Sequence, residues 1–145
     1  MFYIAIADSL QREDNFAFYA GRLVLGGELE FLRCSSALWR PIDYRRQWIA
    51  AAAALNAKAF SSTAFVTSVA RGRNNLVWWV ARRRGNKVVF QNQMLFVSRA
   101  AGRVIPERAH EYIGRTVTKH RYGESRPSEW SLTYKEVKRW LRDAT

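Results

Sequence analysis

The apolar run Phe2–Ala7 reads as a short strand, and a second apolar segment, Phe16–Leu25, is interrupted by Gly21 and closed by Gly26-Gly27. Together they predict a hairpin or a strand with a bulge. Glu28–Arg33 alternates imperfectly between polar and apolar positions, a pattern compatible with another short strand. Pro41 suits the first turn of a helix, where its missing N–H is not needed, and Tyr44, Trp48, Ala52 and Leu55 then recur at helical spacing. The alanines from Ala50 to Ala54 favour that helix and allow close approach to a sheet. Three β-rich segments follow, Thr63–Val69, Leu76–Arg82 and Lys87–Val97, separated by turns around Gly72 and Gly85. Short Gly/Asn turns between β-rich runs indicate an antiparallel meander. Alternation puts Val77, Trp79 and Ala81 on one face of the middle segment and Leu76, Trp78 and Val80 on the other. Both faces are apolar, so this strand is expected to be central and covered at least partly on each side.

Pro106 opens a predicted helix to about Arg115, with Ala109, Tyr112 and Ile113 on one side, and Thr116–Ser128 reads as loop or irregular strand. The final helix starts at Thr133, whose hydroxyl stands at capping-box spacing from Glu136, and Val137, Trp140 and Leu141 form its apolar stripe. The pattern therefore predicts one α+β domain over residues 1–145: an antiparallel sheet centred on the 63–97 meander, covered by three helices around 42–57, 106–115 and 133–143. No repeat, low-complexity linker or composition break divides it.

Composition supports a packed core, since 48% of the 145 residues are hydrophobic and 14% aromatic, too much for a disordered chain. The N-terminus lacks the basic start of a signal or transit peptide, and no 18-residue apolar stretch suggests a membrane span. Cys34 is the only cysteine, which excludes an internal disulfide or a Cys-based zinc cluster and reads as a small buried or half-buried thiol in a reducing cytoplasm.

Charge changes the picture. The net charge is +12, and it is placed unevenly: residues 1–38 carry three arginines against five acids, whereas residues 39–145 carry 21 basic residues against seven acidic ones. Such a surface attracts polyanions, either nucleic acid or an acidic protein face, and speeds encounter by steering.

Catalytic patterns are missing: there is no phosphate-binding GxxxxGK[ST], no HExxH, no GxSxG and no carboxylate-rich metal loop. His110 and His120 are the acid/base candidates of a small ribonuclease, His120 lying in a basic segment with Lys119, Arg121 and Tyr122, but two histidines and scattered acids assemble no metal set. Neither enzyme nor cofactor is expected. Basic turns beside aromatic strands also suit an RNA- or DNA-binding module, yet RNP, helix-turn-helix and zinc-finger patterns are absent, and the six tryptophans fall mostly where the core is expected.

An ordered set of segments carries a further likeness: Leu38-Trp39 before the helix of Tyr44 and Trp48, Thr67-Ser68, Trp78-Trp79, then Val89-Phe90-Gln91-Asn92-Gln93 with Leu95-Phe96, the Pro106 helix with Tyr112-Ile113, and Ser128-Glu129-Trp130. From Leu38 to Arg142 this order resembles the CdiI immunity proteins of bacterial contact-dependent growth inhibition systems, in particular the branch paired with tRNA-cleaving toxins. The resemblance implies a cytoplasmic inhibitor that forms a one-to-one complex with the C-terminal toxin domain of a CdiA protein and covers its active site, with no membrane and no specific nucleic acid as partner. Immunity proteins against nucleases are often acidic, so this basic chain implies a toxin with an acidic surface or a contact beside its nucleic-acid groove. Gln91, Asn92 and Gln93 are candidate contacts, although amides on a strand also satisfy backbone groups. Arginines in turns are stronger candidates, because Arg grips carboxylates bidentately. The expected toxin-binding residues are Arg71, Arg73, Arg83, Arg84, His120, Arg121 and Tyr122, with the two arginine turns at opposite ends of one strand.

Overall fold

The computed structural model describes residues 1–70, 75–96, 106–112, 118–120 and 129–145. In chain order its elements are β1 (Phe2–Glu13), β2 (Phe16–Leu25), β3 (Glu28–Ser35), α1 (Pro41–Ala57), β4 (Phe60–Ala70), β5 (Asn75–Arg84), β6 (Lys87–Phe96), a 3₁₀ helix (Pro106–Tyr112), β7 (Thr118–His120), β8 (Glu129–Thr133) and α2 (Tyr134–Ala144). Two-residue turns join β1 to β2, β2 to β3 and β5 to β6, closing on the pairs Glu13↔Phe16, Leu25↔Glu28 and Arg84↔Lys87. Each turn holds a residue in the left-handed region: Asp14 at φ 52, Gly26 at φ 67 and Gly85 at φ 62. Tight hairpin turns require that conformation, which glycine adopts freely and aspartate tolerates.

The expected single sheet is two antiparallel sheets, β1-β2-β3 and β4-β5-β6-β7, with β8 pairing against the turn end of β6. The meander is central only to the second. Side chains of α1 explain why the sheets do not fuse, because they occupy the free edge of β4. Gln47 donates through Nε2 to Ala64 O at 2.7 Å and accepts the Val66 N–H at 2.8 Å, and the Trp48 indole donates to Val66 O at 2.7 Å. Where β3 approaches β4, the Tyr44 hydroxyl donates to Ser35 O and accepts the Val69 N–H, and Ser68 Oγ accepts the Ser35 N–H. The outer edge of β1 is also covered, by Arg45 donating to Ile6 O and the Trp140 indole donating to Ile4 O. Satisfying these edges with side chains removes the open backbone that another strand would pair with.

Both α-helices follow the pattern. Asp43 accepts the Arg40 N–H at the start of α1, and Glu136 accepts the Thr133 N–H at the start of α2, as the Thr133 spacing predicts. The third expected helix is instead the 3₁₀ helix, and residues 113–115 of that expectation lie outside the described residues. Ala109 is its one fully buried described side chain, and a single methyl packed against α1 and β4 does not supply the apolar stripe that sustains a longer α-helix. Ser128-Glu129-Trp130, expected as a turn, instead contributes Glu129 and Trp130 to β8.

The core lies between the sheets and under α1. Phe2 packs its ring 5.3 Å from Phe65 and 5.4 Å from Phe90, with Trp140 edge-on at 5.6 Å. Trp48, Trp78 and Trp79 are buried as the double-faced apolar pattern requires. No helix among the described residues is long and apolar enough to cross a membrane.

Candidate partner-binding surface

Alternation along β5 separates its three arginines. Arg83 points inward: it donates to Leu55 O at 2.7 Å and to Gly85 O at 2.8 Å, and its guanidinium lies 3.4 Å from the centre of the Tyr134 ring. It fastens the β5–β6 turn to α1 and α2. Arg82 and Arg84 have the opposite parity and are exposed. Cross-strand register gathers their neighbours into two rows of one face, Phe60–Arg84–Lys87–Thr133 and Ser62–Arg82–Val89–Ser131. Phe60 is 73% exposed there. Phe60, Ser61, Ser62 and the three arginines line a shallow depression of about 360 Å³.

Gln91 is two positions further along the same face, donating to Glu129, and Gln93 donates to Gln91 Oε1 at 2.9 Å. The two amides thus chain along β6, and Gln91 holds Glu129, the carboxylate opposite it on β8. Asn92 faces the other side and is buried. The backbone of His120 pairs with Gln93 through β7. Arg71, Arg73, Arg121 and Tyr122 lie outside the described residues. Of the expected contacts, the structure therefore places Arg84 exposed on this face and turns Arg83, half-buried, to the opposite side of the strand. Arg82, Lys87 and Phe60 join that face without having been singled out. Carrying the strand alternation two residues past Arg82 would have found Arg82 and Arg84 together.

Several described cations are already engaged: Arg33 with Glu13, Arg40 with Asp43, Arg45 with Asp8, Arg46 with Glu107, and Arg108 with Glu111. Arg82, Arg84 and Lys87 meet no carboxylate among the described residues. Replacing Arg83 by methionine, which keeps the stem and removes the donors, is expected to cost about 2–3 kcal/mol of stability in urea denaturation. The same change should leave partner affinity intact, and a stable but non-binding variant would overturn Arg83's interior role.

No group of three His, Cys, Asp or Glu residues able to hold a metal occurs among the described residues. Burial lowers the pKa of His110 below the ordinary imidazole value, so at pH 7 it is neutral. Burial also pushes the Cys34 thiol up to about 12. Its thiolate fraction at pH 8 should be roughly a thousand-fold below that of an ordinary thiol, and alkylation of the native protein correspondingly slow. Iodoacetamide labelling at equal rates in native and urea-unfolded protein would refute this. Four of the six tryptophans, Trp39, Trp48, Trp78 and Trp79, are buried, and the indole N–H groups of Trp130 and Trp140 donate to Glu28 and Ile4 O.

The family model described as the CdiI N-terminal domain matches residues 34–140, which include every α-helix and strand from α1 to β8 and most of α2. Among curated proteins, none matches. A solved chain from the "CdiA-CT/CdiI toxin and immunity complex from Enterobacter cloacae" has the same fold, with a TM-score of 0.79 and 20% identity over 99% of this chain and 98% of that one.

Proposed function

The chain belongs to the CdiI N-terminal domain family, and from that premise we propose that it is an immunity protein that binds and neutralises the C-terminal toxin domain of a cognate CdiA protein. Family membership is the observation that carries this reading. The fold match to a chain of a toxin and immunity complex supports it, as does a surface equipped for association and lacking an assembled catalytic set among the described residues. The protein acts in the cytoplasm of the producing cell, forming a one-to-one complex that covers the active site of a tRNA-cleaving toxin. No cofactor takes part, and inhibition is stoichiometric: protection requires at least one inhibitor molecule per toxin.

A nucleic-acid-binding module remains the competing reading on the strength of the +12 net charge alone. The burial of Trp39, Trp48, Trp78 and Trp79 speaks against it, because sequence-tolerant single-strand binding draws on several aromatic faces open to bases, and the rows of Arg82 and Arg84 offer Phe60 alone.

Co-expression with the toxin domain encoded directly upstream tests the proposal. Growth rescue, intact tRNA and a co-purifying one-to-one complex are the expected results. Absence of both rescue and complex would refute the immunity reading. Rescue with cleavage of another RNA, and none of tRNA, would keep immunity and discard the tRNase assignment.

A further inference from the structure

The surface formed by Phe60, Arg82, Arg84 and Lys87 has no role in holding this fold together, and it is set up at an energetic disadvantage. Arg84 and Lys87 stand directly opposite each other across the β5–β6 turn, with Arg82 one same-face row away. Like charges opposite each other in a sheet are destabilising, and here no carboxylate among the described residues relieves them. Phe60, itself 73% exposed, lies across from Arg84 on the other side. An apolar anchor beside exposed arginines is a combination enriched at the energetic centres of protein interfaces.

From this arrangement we propose that the face bearing Phe60, Arg82, Arg84 and Lys87 is where the toxin docks, and that it receives a patch of aspartate and glutamate side chains. This deepens the immunity reading and rests on it. Arg82 and Arg84 offer planar donors for bidentate contact with carboxylates, while Lys87 adds a point charge and Phe60 fills an apolar recess between them. The turn is presented ready-made: Arg83, bonded to Leu55 O and Gly85 O and stacked on Tyr134, pins the strand from behind. Little ordering remains to be done when the partner arrives, which conserves affinity. Unpaired cations on an already basic chain also steer an acidic partner and make its arrival salt-dependent. A nucleic acid would satisfy the charges as well, but Phe60 is the only aromatic ring these two rows offer it.

The test uses the full chain and the toxin domain encoded upstream, with affinity measured by titration at low and high salt. Arg82→Glu with Arg84→Glu should weaken toxin binding by about 100-fold or more, mostly at low salt, and Phe60→Ser by about 10-fold or more. Circular dichroism should stay at the wild-type signal and the melting temperature should hold or rise, because Arg84→Glu replaces the like-charge pair with Lys87 by an opposite-charge one. Phe31→Ser and Arg22→Glu, on the outer face of the first sheet, serve as controls and should change affinity less than about 3-fold. A suppressor in the toxin that turns an acidic residue into lysine and restores the double variant's protection would identify the opposing patch.

Full affinity in the folded double variant overturns the proposal, as does loss of binding in the first-sheet controls instead. The double variant could also lose salt-dependent binding to a single-stranded oligonucleotide while binding toxin normally; the face is then a nucleic-acid site and the proposal fails. If wild-type protein itself does not bind the toxin, the immunity reading falls first and takes this surface with it.

Discussion

Gln47→Leu is expected to destabilise the protein by about 2–4 kcal/mol, although leucine is the more hydrophobic residue and close to glutamine in volume. Gln47 is completely buried on α1, with Nε2 2.7 Å from Ala64 O and Oε1 2.8 Å from Val66 N. It pairs with the edge of β4 as a neighbouring strand would, giving one donor and one acceptor. Leucine leaves both backbone groups without a partner in a dry interior, at about 1–3 kcal/mol each, and its greater apolar burial returns on the order of 1–2 kcal/mol. The remaining deficit sets the expected loss. Urea denaturation of the variant measures it directly, and stability within about 0.5 kcal/mol of wild type would mean that water or a shifted strand satisfies the edge instead. Because an uncovered edge invites pairing with another chain, the variant should also aggregate more readily on partial unfolding.

Gly21→Val is the second large effect, expected at about 3 kcal/mol or more, with Gly21→Ala at about 1–3 kcal/mol. Gly21 sits in the middle of β2 between Ile6 of β1 and Leu32 of β3. A Cβ there would approach Ala5 O to 3.1 Å, Leu32 Cβ to 3.1 Å and Cys34 Sγ to 3.2 Å. Two of those neighbours are a backbone oxygen and a Cβ, which move only with their strands, so the first sheet must open to admit the side chain. Cys34 is the adjustable one. Combining Gly21→Ala with Cys34→Ala should recover part of the loss, and a double-mutant cycle measures how much. Additive effects would show that the crowding comes from Ala5 and Leu32 alone.

Local pattern made much of the fold legible. The β5 segment, with apolar residues of both parities, had to be a covered central strand, and it is. Thr133 and Glu136, three residues apart ahead of an apolar stripe, marked the start of α2, and Glu136 accepts the Thr133 N–H there. The likeness of Leu38–Arg142 to CdiI proteins, carried by segments such as the Gln91–Gln93 strand, agrees with the family match over residues 34–140. The candidate surface was less legible. Arg83 and Arg84 were grouped because they adjoin Gly85 in sequence, but β5 runs through Arg84 and its pleat sends the two side chains to opposite faces. Arg83 then finds carbonyl oxygens and a ring, whereas Arg84 meets Phe60 and Lys87 across the strands.

By itself the sequence determined the α+β class, the tight turns at Gly26-Gly27 and Gly85-Asn86, the aromatic core and the basic balance of the chain after residue 38. These depend on neighbours within a few positions, through periodicity, left-handed turn residues and caps, or on sums over the chain. Only the tertiary structure decided that the sheet is divided in two, that Gln47, Trp48 and Tyr44 serve as edge partners of strands well beyond their own helix, and which arginines remain unpaired. Each of those outcomes turns on which backbone edge or carboxylate comes to lie opposite a side chain. That is a matter of strand register and of contacts between residues distant in sequence, and no local pattern encodes it.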